Sequence, residues 1–125
     1  MTVVTHVHIR KIFRSLDDDL ETDVFELTPP MSTYLVAFIV SDFANLTEER
    51  DNRIYNIWAR EDSITQAAFG LIVTPDIIQL MENFTNIIFE FKKLDQAAIP
   101  DFSAGAMENW ALVTYRLVLV ITPHC

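Results

Sequence analysis

Glycine and cysteine are nearly missing from this chain. Two glycines, Gly70 and Gly105, occur in 125 residues, against roughly 7% in ordinary proteins. A domain rich in tight turns needs more positions able to take positive φ, so Pro29, Pro30, Pro75, Pro100 and Pro123 must supply much of the punctuation. The one cysteine, Cys125, excludes a disulfide framework and a cysteine zinc cluster. It leaves the redox compartment open. Basic charge is scarce as well. Nine Lys and Arg stand against 18 Asp and Glu, a net charge of −9, which repels phosphate backbones and argues against nucleic acid as a partner.

Long apolar runs are absent near the ends. Leu117–Ile121 is far short of the roughly 20 residues a spanning helix needs. Met1–Ile9 carries two histidines and no apolar core, so it does not read as a signal peptide. Also absent are His-Glu-x-x-His, a glycine-rich phosphate loop, Gly-x-Ser-x-Gly and Cys-x-x-Cys. His6 and His8 would share one face of a strand, but two histidines near a terminus do not make a site, and His124 has no evident partner. No metal ligand and no catalytic residue is therefore assigned within this chain.

What is present is globular: half the residues are hydrophobic and 22% are charged. Residues 1–16 alternate loosely and end in Arg10, Lys11 and Arg14, which fits a strand. Asp17, Asp18, Asp19, Glu21, Asp23 and Glu26 read as a solvated loop, since no glycine or EF-hand spacing supports calcium. Tyr34–Val40 is β-branched and aromatic on both faces, the pattern of a buried central strand. Residues 42–52 read as a polar turn and Asn52–Ala59 as a second strand, the two strands forming a hairpin with a long loop.

Helical signals begin after Arg60. A short helix is predicted near 62–72 and a firmer one at 75–86, with Thr74 as cap and Pro75 at the first helical position. Ile77, Ile78, Met81, Phe84 and Ile88 then form a core stripe. Residues 87–102 return to strand character and stop at Pro100-Asp101. Asp101–Glu108 is a turn, and Trp110–Tyr115 is a further strand. Two sequons, Asn45-Leu-Thr47 and Asn83-Phe-Thr85, mark Asn45 and Asn83 as candidate glycosylation sites.

One segment is more specific. Gly105-Ala106-Met107-Glu108-Asn109 resembles the GAMEN exopeptidase motif of zinc aminopeptidases of the aminopeptidase N type, the gluzincin aminopeptidases. Its flanks resemble the family in order: Asp95-Gln96, Ile99-Pro100-Asp101-Phe102, Trp110 and Val113-Thr114-Tyr115-Arg116. Upstream, Pro30–Phe38 is similar to the end of that family's N-terminal domain, and Trp58-Ala59-Arg60 to the entry of its catalytic domain. The resemblance spans about residues 22–116 and is close in tone to insect gut members. Departures are Ala111, where the family shows glycine, and Leu117, where it shows glutamate.

The resemblance implies an α+β fragment. Residues 1–60 would be the last strands of an N-terminal β-sandwich or saddle domain, and residues 61–125 the start of a thermolysin-like catalytic domain. It implies removal of N-terminal residues from peptides with a free amine. Glu108 would grip the α-ammonium by charge-assisted hydrogen bonding. Gln96 would add a neutral contact, Gly105 and Ala106 would offer backbone groups to an extended substrate, and Met107 would line the first side-chain pocket. Asn109 completes the motif. Zinc would be the cofactor, held by ligands outside this chain. The full-length protein would face outward from the cell membrane, its anchor and signal peptide lying elsewhere. An alternative function class is a cell-surface binding module that docks a bacterial insecticidal toxin. Alone, the chain is expected to be inactive and marginally stable.

Overall fold

The structure is a computed structural model that describes residues 2–5, 9–14 and 21–120. His6, His8, His124 and the acids Asp17, Asp18 and Asp19 lie outside the described residues. Nine strands and two helices are described: β1 (Thr2–Thr5), β2 (Ile9–Arg14), β3 (Glu21–Phe25), β4 (Phe38–Ser41), β5 (Ala44–Arg50), β6 (Arg53–Ala59), α1 (Ala68–Thr85), β7 (Lys93–Ile99), β8 (Ala106–Met107), β9 (Leu112–Arg116) and α2 (Leu117–Val120). The architecture is α+β with a mixed sheet. β5-β6-β7-β9-β8 form that sheet, while β1-β4 and β2-β3 are two-stranded ribbons.

β6 organises the molecule. Tyr55, Ile57 and Ala59 alternate onto one face and are at most 2% exposed, as period-two burial requires. Asn56 and Trp58 face the other way. β5 and β6 pair antiparallel through Asp51-Asn52, both at positive φ, the backbone a tight two-residue hairpin demands. β7 then pairs parallel to β6, and β9 parallel to β7. The parallel step from β6 to β7 needs a long crossover, and α1 supplies it. One sheet thus continues across Arg60.

Several sequence expectations are corrected. Within the stretch 42–52, Ala44–Arg50 is strand β5, with Asn45, Thr47 and Glu49 on a wet face and Leu46 turned in. Its polar side is that of an edge strand, and the expected hairpin of Tyr34–Val40 with Asn52–Ala59 gives way to a β5-β6 hairpin with a two-residue turn. Tyr34–Val40 is not a buried central strand. Thr33–Leu35 makes a 3-10 turn, and among the described residues β4 pairs only with β1. A two-stranded ribbon covers one face, so Ala37 and Ile39 pack inward while Phe38 stays 71% exposed. In the acidic run, Glu21–Phe25 pairs with β2 rather than looping freely, because ladder pairing needs no burial of the acids.

The two predicted helices are one. A 3-10 turn at Ile64–Ala67 leads into α1, which runs through Pro75. Thr74 does not cap. Its hydroxyl donates to the Gly70 carbonyl at 2.6 Å, inside the helix. Pro75 leaves the Leu71 carbonyl without its helical donor, but it is buried against the sheet, and that packing outweighs the local preference. The core stripe is Ile64, Ala67, Leu71, Thr74 and Pro75, joined by Ile78. Of the expected stripe, Ile77, Met81, Phe84 and Ile88 are 50–84% exposed, and Ile88 lies past the helix end, where Asn86 turns at φ 55. The stretch Ile64–Thr85 is long and apolar enough to cross a membrane by composition. Here it is a sheet-covering helix whose Asp76 pairs with Arg50 at 2.7 Å and Glu82 with Arg53 at 2.6 Å. β7 begins at Lys93 and stops at Ile99, where Pro100 and the positive φ of Asp101 break it.

Arg53 fastens the far end of α1. Its guanidinium donates to Glu82 and to the Phe89 carbonyl at 2.8 Å, and the Phe89 amide donates back to Glu82 at 2.7 Å. The hydrogen bond from Arg53, then that from the Phe89 amide, holds the Glu82 carboxyl below the usual carboxylate range. A depressed carboxyl stabilises the fold above its unfolded value, about 4.3, and that contribution disappears as pH falls through the lower folded value. Glu82→Gln should therefore lower the thermal midpoint at pH 7 and flatten its fall below about pH 4.5. Melting curves between pH 3 and 7 check this; a parallel offset at every pH would remove Glu82 from the acid response.

Candidate amine-anchoring site

The motif lies at the sheet's far edge. β8 holds Ala106 and Met107, paired antiparallel with Tyr115 and Thr114 of β9. Sheet order ends there, so among the described residues no strand occupies the other edge of β8. The loop entering β8 is clamped by Arg116. Its Nε donates to the Phe102 carbonyl at 2.9 Å, its Nη2 to the Ser103 carbonyl, and its amide to the Gly105 carbonyl at 2.9 Å. Sequence reasoning treated Arg116 as a flank only; three carbonyls converging on one residue is a tertiary fact with no sequence signal.

Glu108 follows directly and is exposed. No hydrogen bond or ion pair holds its carboxylate among the described residues. Asn109 is the opposite case. It is 6% exposed, its amide nitrogen donates to the Leu35 carbonyl at 3.2 Å, and its carbonyl oxygen faces the Thr114 hydroxyl at 3.5 Å. The Leu112 amide also donates to its main-chain oxygen at 3.1 Å.

Glu108 and Asn109 line a cleft of about 390 Å³ with Gln96, Thr74, Trp110 and Tyr115. Gly105, Ala106 and Met107 are not among its lining residues. The structure thus brings Gln96 and Glu108 to one cleft and leaves the rest of the motif at the strand edge beside it. Thr74, absent from the sequence reading of the site, orients Gln96. Its single hydroxyl proton goes to Gly70, so it must accept from the Gln96 amide nitrogen, 2.7 Å away. That leaves the Gln96 carbonyl oxygen as the free end. Burial pushes the Tyr115 phenol above its ordinary value, so it is a neutral hydroxyl near pH 7. The cleft continues into a groove of about 550 Å³ past Phe89, Phe91 and Trp110; the Phe89 and Phe91 rings are tilted with centroids 5.3 Å apart, and the Phe91 and Trp110 rings meet edge-on at 5.9 Å.

The described residues contain no group of three His, Cys, Asp or Glu side chains able to hold a metal. The residues present do not fit a zinc centre.

The profile of the Peptidase family M1 domain matches residues 69–124, a range that includes the Leu117 stretch expected to depart. The chain is 46% identical over 95 residues to aminopeptidase N of Oryctolagus cuniculus, covering 74% of this chain and 10% of that protein. It is 43% identical over 100 residues to endoplasmic reticulum aminopeptidase 1 of Mus musculus, covering 79% and 11%. It is 44% identical over 117 residues to aminopeptidase N of Rattus norvegicus, covering 89% and 12%. The chain belongs to the M1 peptidases, and its likeness within them is to the aminopeptidase N type. It spans about a tenth of the length of these relatives.

Two backbone positions at the motif are tested by opposite substitutions. Ala111, 3% exposed, sits at φ 54, a left-handed conformation that strains a β-carbon by about 1–2 kcal/mol. Ala111→Gly relieves that strain but loses one buried methyl, about 0.8 kcal/mol, and adds unfolded-chain entropy worth about 0.4–1 kcal/mol, so the terms nearly cancel and stability should change by less than about 1 kcal/mol. Gly105 does not take a positive φ, and a β-carbon there meets only Leu119 Cδ1, at 3.6 Å. Gly105→Ala should hold or slightly raise stability, by up to about 1 kcal/mol. Urea titration of both variants tests the pair. A destabilised Gly105→Ala would mean that packing within this chain demands the glycine.

Proposed function

We propose that this chain is the amine-anchoring part of a zinc aminopeptidase, contributing the GAMEN segment that binds the free N-terminus of a peptide. The observation that carries the reading is an exposed carboxylate at Glu108, unpaired among the described residues and lining a cleft, one residue beyond a sheet edge on which no described strand pairs. The edge at Gly105, Ala106 and Met107 suits an extended main chain, which would add a strand there. Glu108 would then meet the α-ammonium, whose reference pKa is near 8, and a blocked N-terminus would leave that carboxylate unpaired. Gln96 would offer its free carbonyl oxygen to the same ammonium. Asn109, engaged with Leu35 and Thr114, would hold the segment in place, and Met107 would border the first side chain.

Zinc, when bound in the longer protein, supplies the Lewis acid for peptide hydrolysis; its ligands are assigned outside this chain. On this reading the chain joins the end of a β-sandwich or saddle domain, expected over residues 1–60, to the opening of a thermolysin-like catalytic domain, expected over residues 61–125, with β5 and β6 of the first part sharing a sheet with β7, β9 and β8 of the second. The whole protein would face outward from the cell membrane, with glycans on Asn45 and Asn83, both exposed here. The toxin-docking alternative draws no support from relatives whose names are those of peptidases.

Two experiments test the reading. The isolated chain should hold no stoichiometric zinc after dialysis and should not turn over aminoacyl-anilides; bound zinc with turnover would overturn the fragment assignment. Next, residues 22–116 replace the matching segment of rabbit aminopeptidase N. In that chimera Glu108→Gln keeps shape and an acceptor oxygen but removes charge. The lost charge-assisted bond is worth roughly 1.5–3 kcal/mol, a fall of about 10- to 150-fold in kcat/KM. Inhibition by free-amine ligands should weaken in parallel, and N-acylated ligands should be unaffected. An unchanged kcat/KM would return Glu108 to an ordinary surface acid.

A further inference from the structure

The most heavily bonded buried group in the described residues is not in the motif. Asp95 is 1% exposed, in the middle of β7. Its Oδ1 accepts from the Asn56 amide at 2.6 Å and from the Trp58 indole at 3.1 Å, both on β6. Its Oδ2 accepts from the Lys93 ammonium, which also donates to the Thr5 carbonyl of β1. A carboxylate this deep is tolerated only when its oxygens are satisfied, and here three donors from two strands do so.

The main chain of the same residue faces the motif. The Asp95 amide donates to the Ala111 carbonyl at 2.9 Å, and Asp95 stands opposite Leu112 in the parallel ladder. Ala111 is the residue whose positive φ turns the chain from Glu108, Asn109 and Trp110 into β9. Whatever fixes Asp95 therefore fixes the base of the turn that carries Glu108.

We propose that Asp95 is the positioning residue of the Glu108 segment. Asn56, Trp58 and Lys93 lock its carboxylate, and its amide transmits that placement to the Ala111 turn. Glu108 then takes its place in the cleft through main-chain bonds, with no contact between the two carboxylates. The functional half of this inference rests on the amine-anchor reading; the structural half does not, and the two are measured separately.

Asp95→Asn removes the partner of a buried ammonium and risks unfolding. Trp58→Phe is the gentler probe, deleting one donor while keeping a ring in place. In the full 125-residue chain, amide hydrogen exchange is read at Asp95 and Leu112, with Ile54 as internal control. The Ile54 amide bonds the Lys92 carbonyl at the other end of the β6–β7 pair. Losing a hydrogen bond to a charged group should speed exchange at Asp95 and Leu112 by roughly ten- to a hundred-fold, with Ile54 nearly unchanged. Equal acceleration at all three amides would mean simple destabilisation and would overturn the proposal, as would no change at Asp95 and Leu112. Asn56→Leu, which deletes the other β6 donor, should reproduce the local pattern.

In the rabbit chimera, Trp58→Phe should raise KM for a free-amine substrate about tenfold with kcat largely kept. A normal KM alongside the local exchange change would sever Asp95 from Glu108 function. If Glu108→Gln itself had no effect, the amine-anchor reading would fall first, leaving the exchange result to stand alone.

Discussion

A single buried carboxylate sets the terms for the rest of this molecule. Asp95 draws donors from β6 and from its own strand, and through Lys93 it reaches the first ribbon at Thr5. Removing one member of such a cluster leaves an uncompensated charge or donor in a dry interior, which is why half-satisfied networks are worse than apolar cores. The apolar face works differently. Tyr55, Ile57 and Ala59 meet Ile64, Ala67 and Leu71, a contact that is non-directional and tolerant of shape changes. Packing of that kind holds the helix on the sheet. The polar cluster fixes where along the strands the sheet locks.

Much of this was legible in the sequence where one local force acted alone. β6, the end of β7 at Pro100 and the strand after Trp110 follow from alternation and from proline. The readings failed where long-range packing decided. β5 looks like a loop because an edge strand with a wet face has a polar pattern. Tyr34–Val40 looks buried because apolarity on both faces says nothing about how many neighbours the fold provides. Thr74-Pro75 carries every local mark of a helix start, yet the hydroxyl turns back to Gly70 and the ring is buried on the sheet.

The site divides in the same way. The motif was readable as a string, and its five residues lie where a string cannot say. Two form an edge strand, one carboxylate is exposed, and one amide is buried as a tie between Leu35 and Thr114. Thr74, Arg116 and Asp95 act on the motif from distant positions through single hydrogen bonds, which composition and spacing do not encode. Ala111 is the instructive exception. The departure from the family's glycine is visible in the sequence, and the positive φ found there gives its physical meaning.

The outer side of α1 has a consequence for how the chain behaves in solution. Phe69, Ile72, Leu80 and Phe84 are 60–84% exposed on a helix whose inner side is already committed to the sheet. Exposed apolar side chains of this kind are sticky, and an excess of nine negative charges opposes self-association by mutual repulsion. The isoelectric point is near 4.5. Acidification to that region cancels the repulsion while the Glu82 carboxyl, held below the usual carboxylate range by Arg53 and the Phe89 amide, still latches α1. Colloidal stability therefore fails before the latch does, so the chain would be expected to precipitate with α1 still fastened to the sheet.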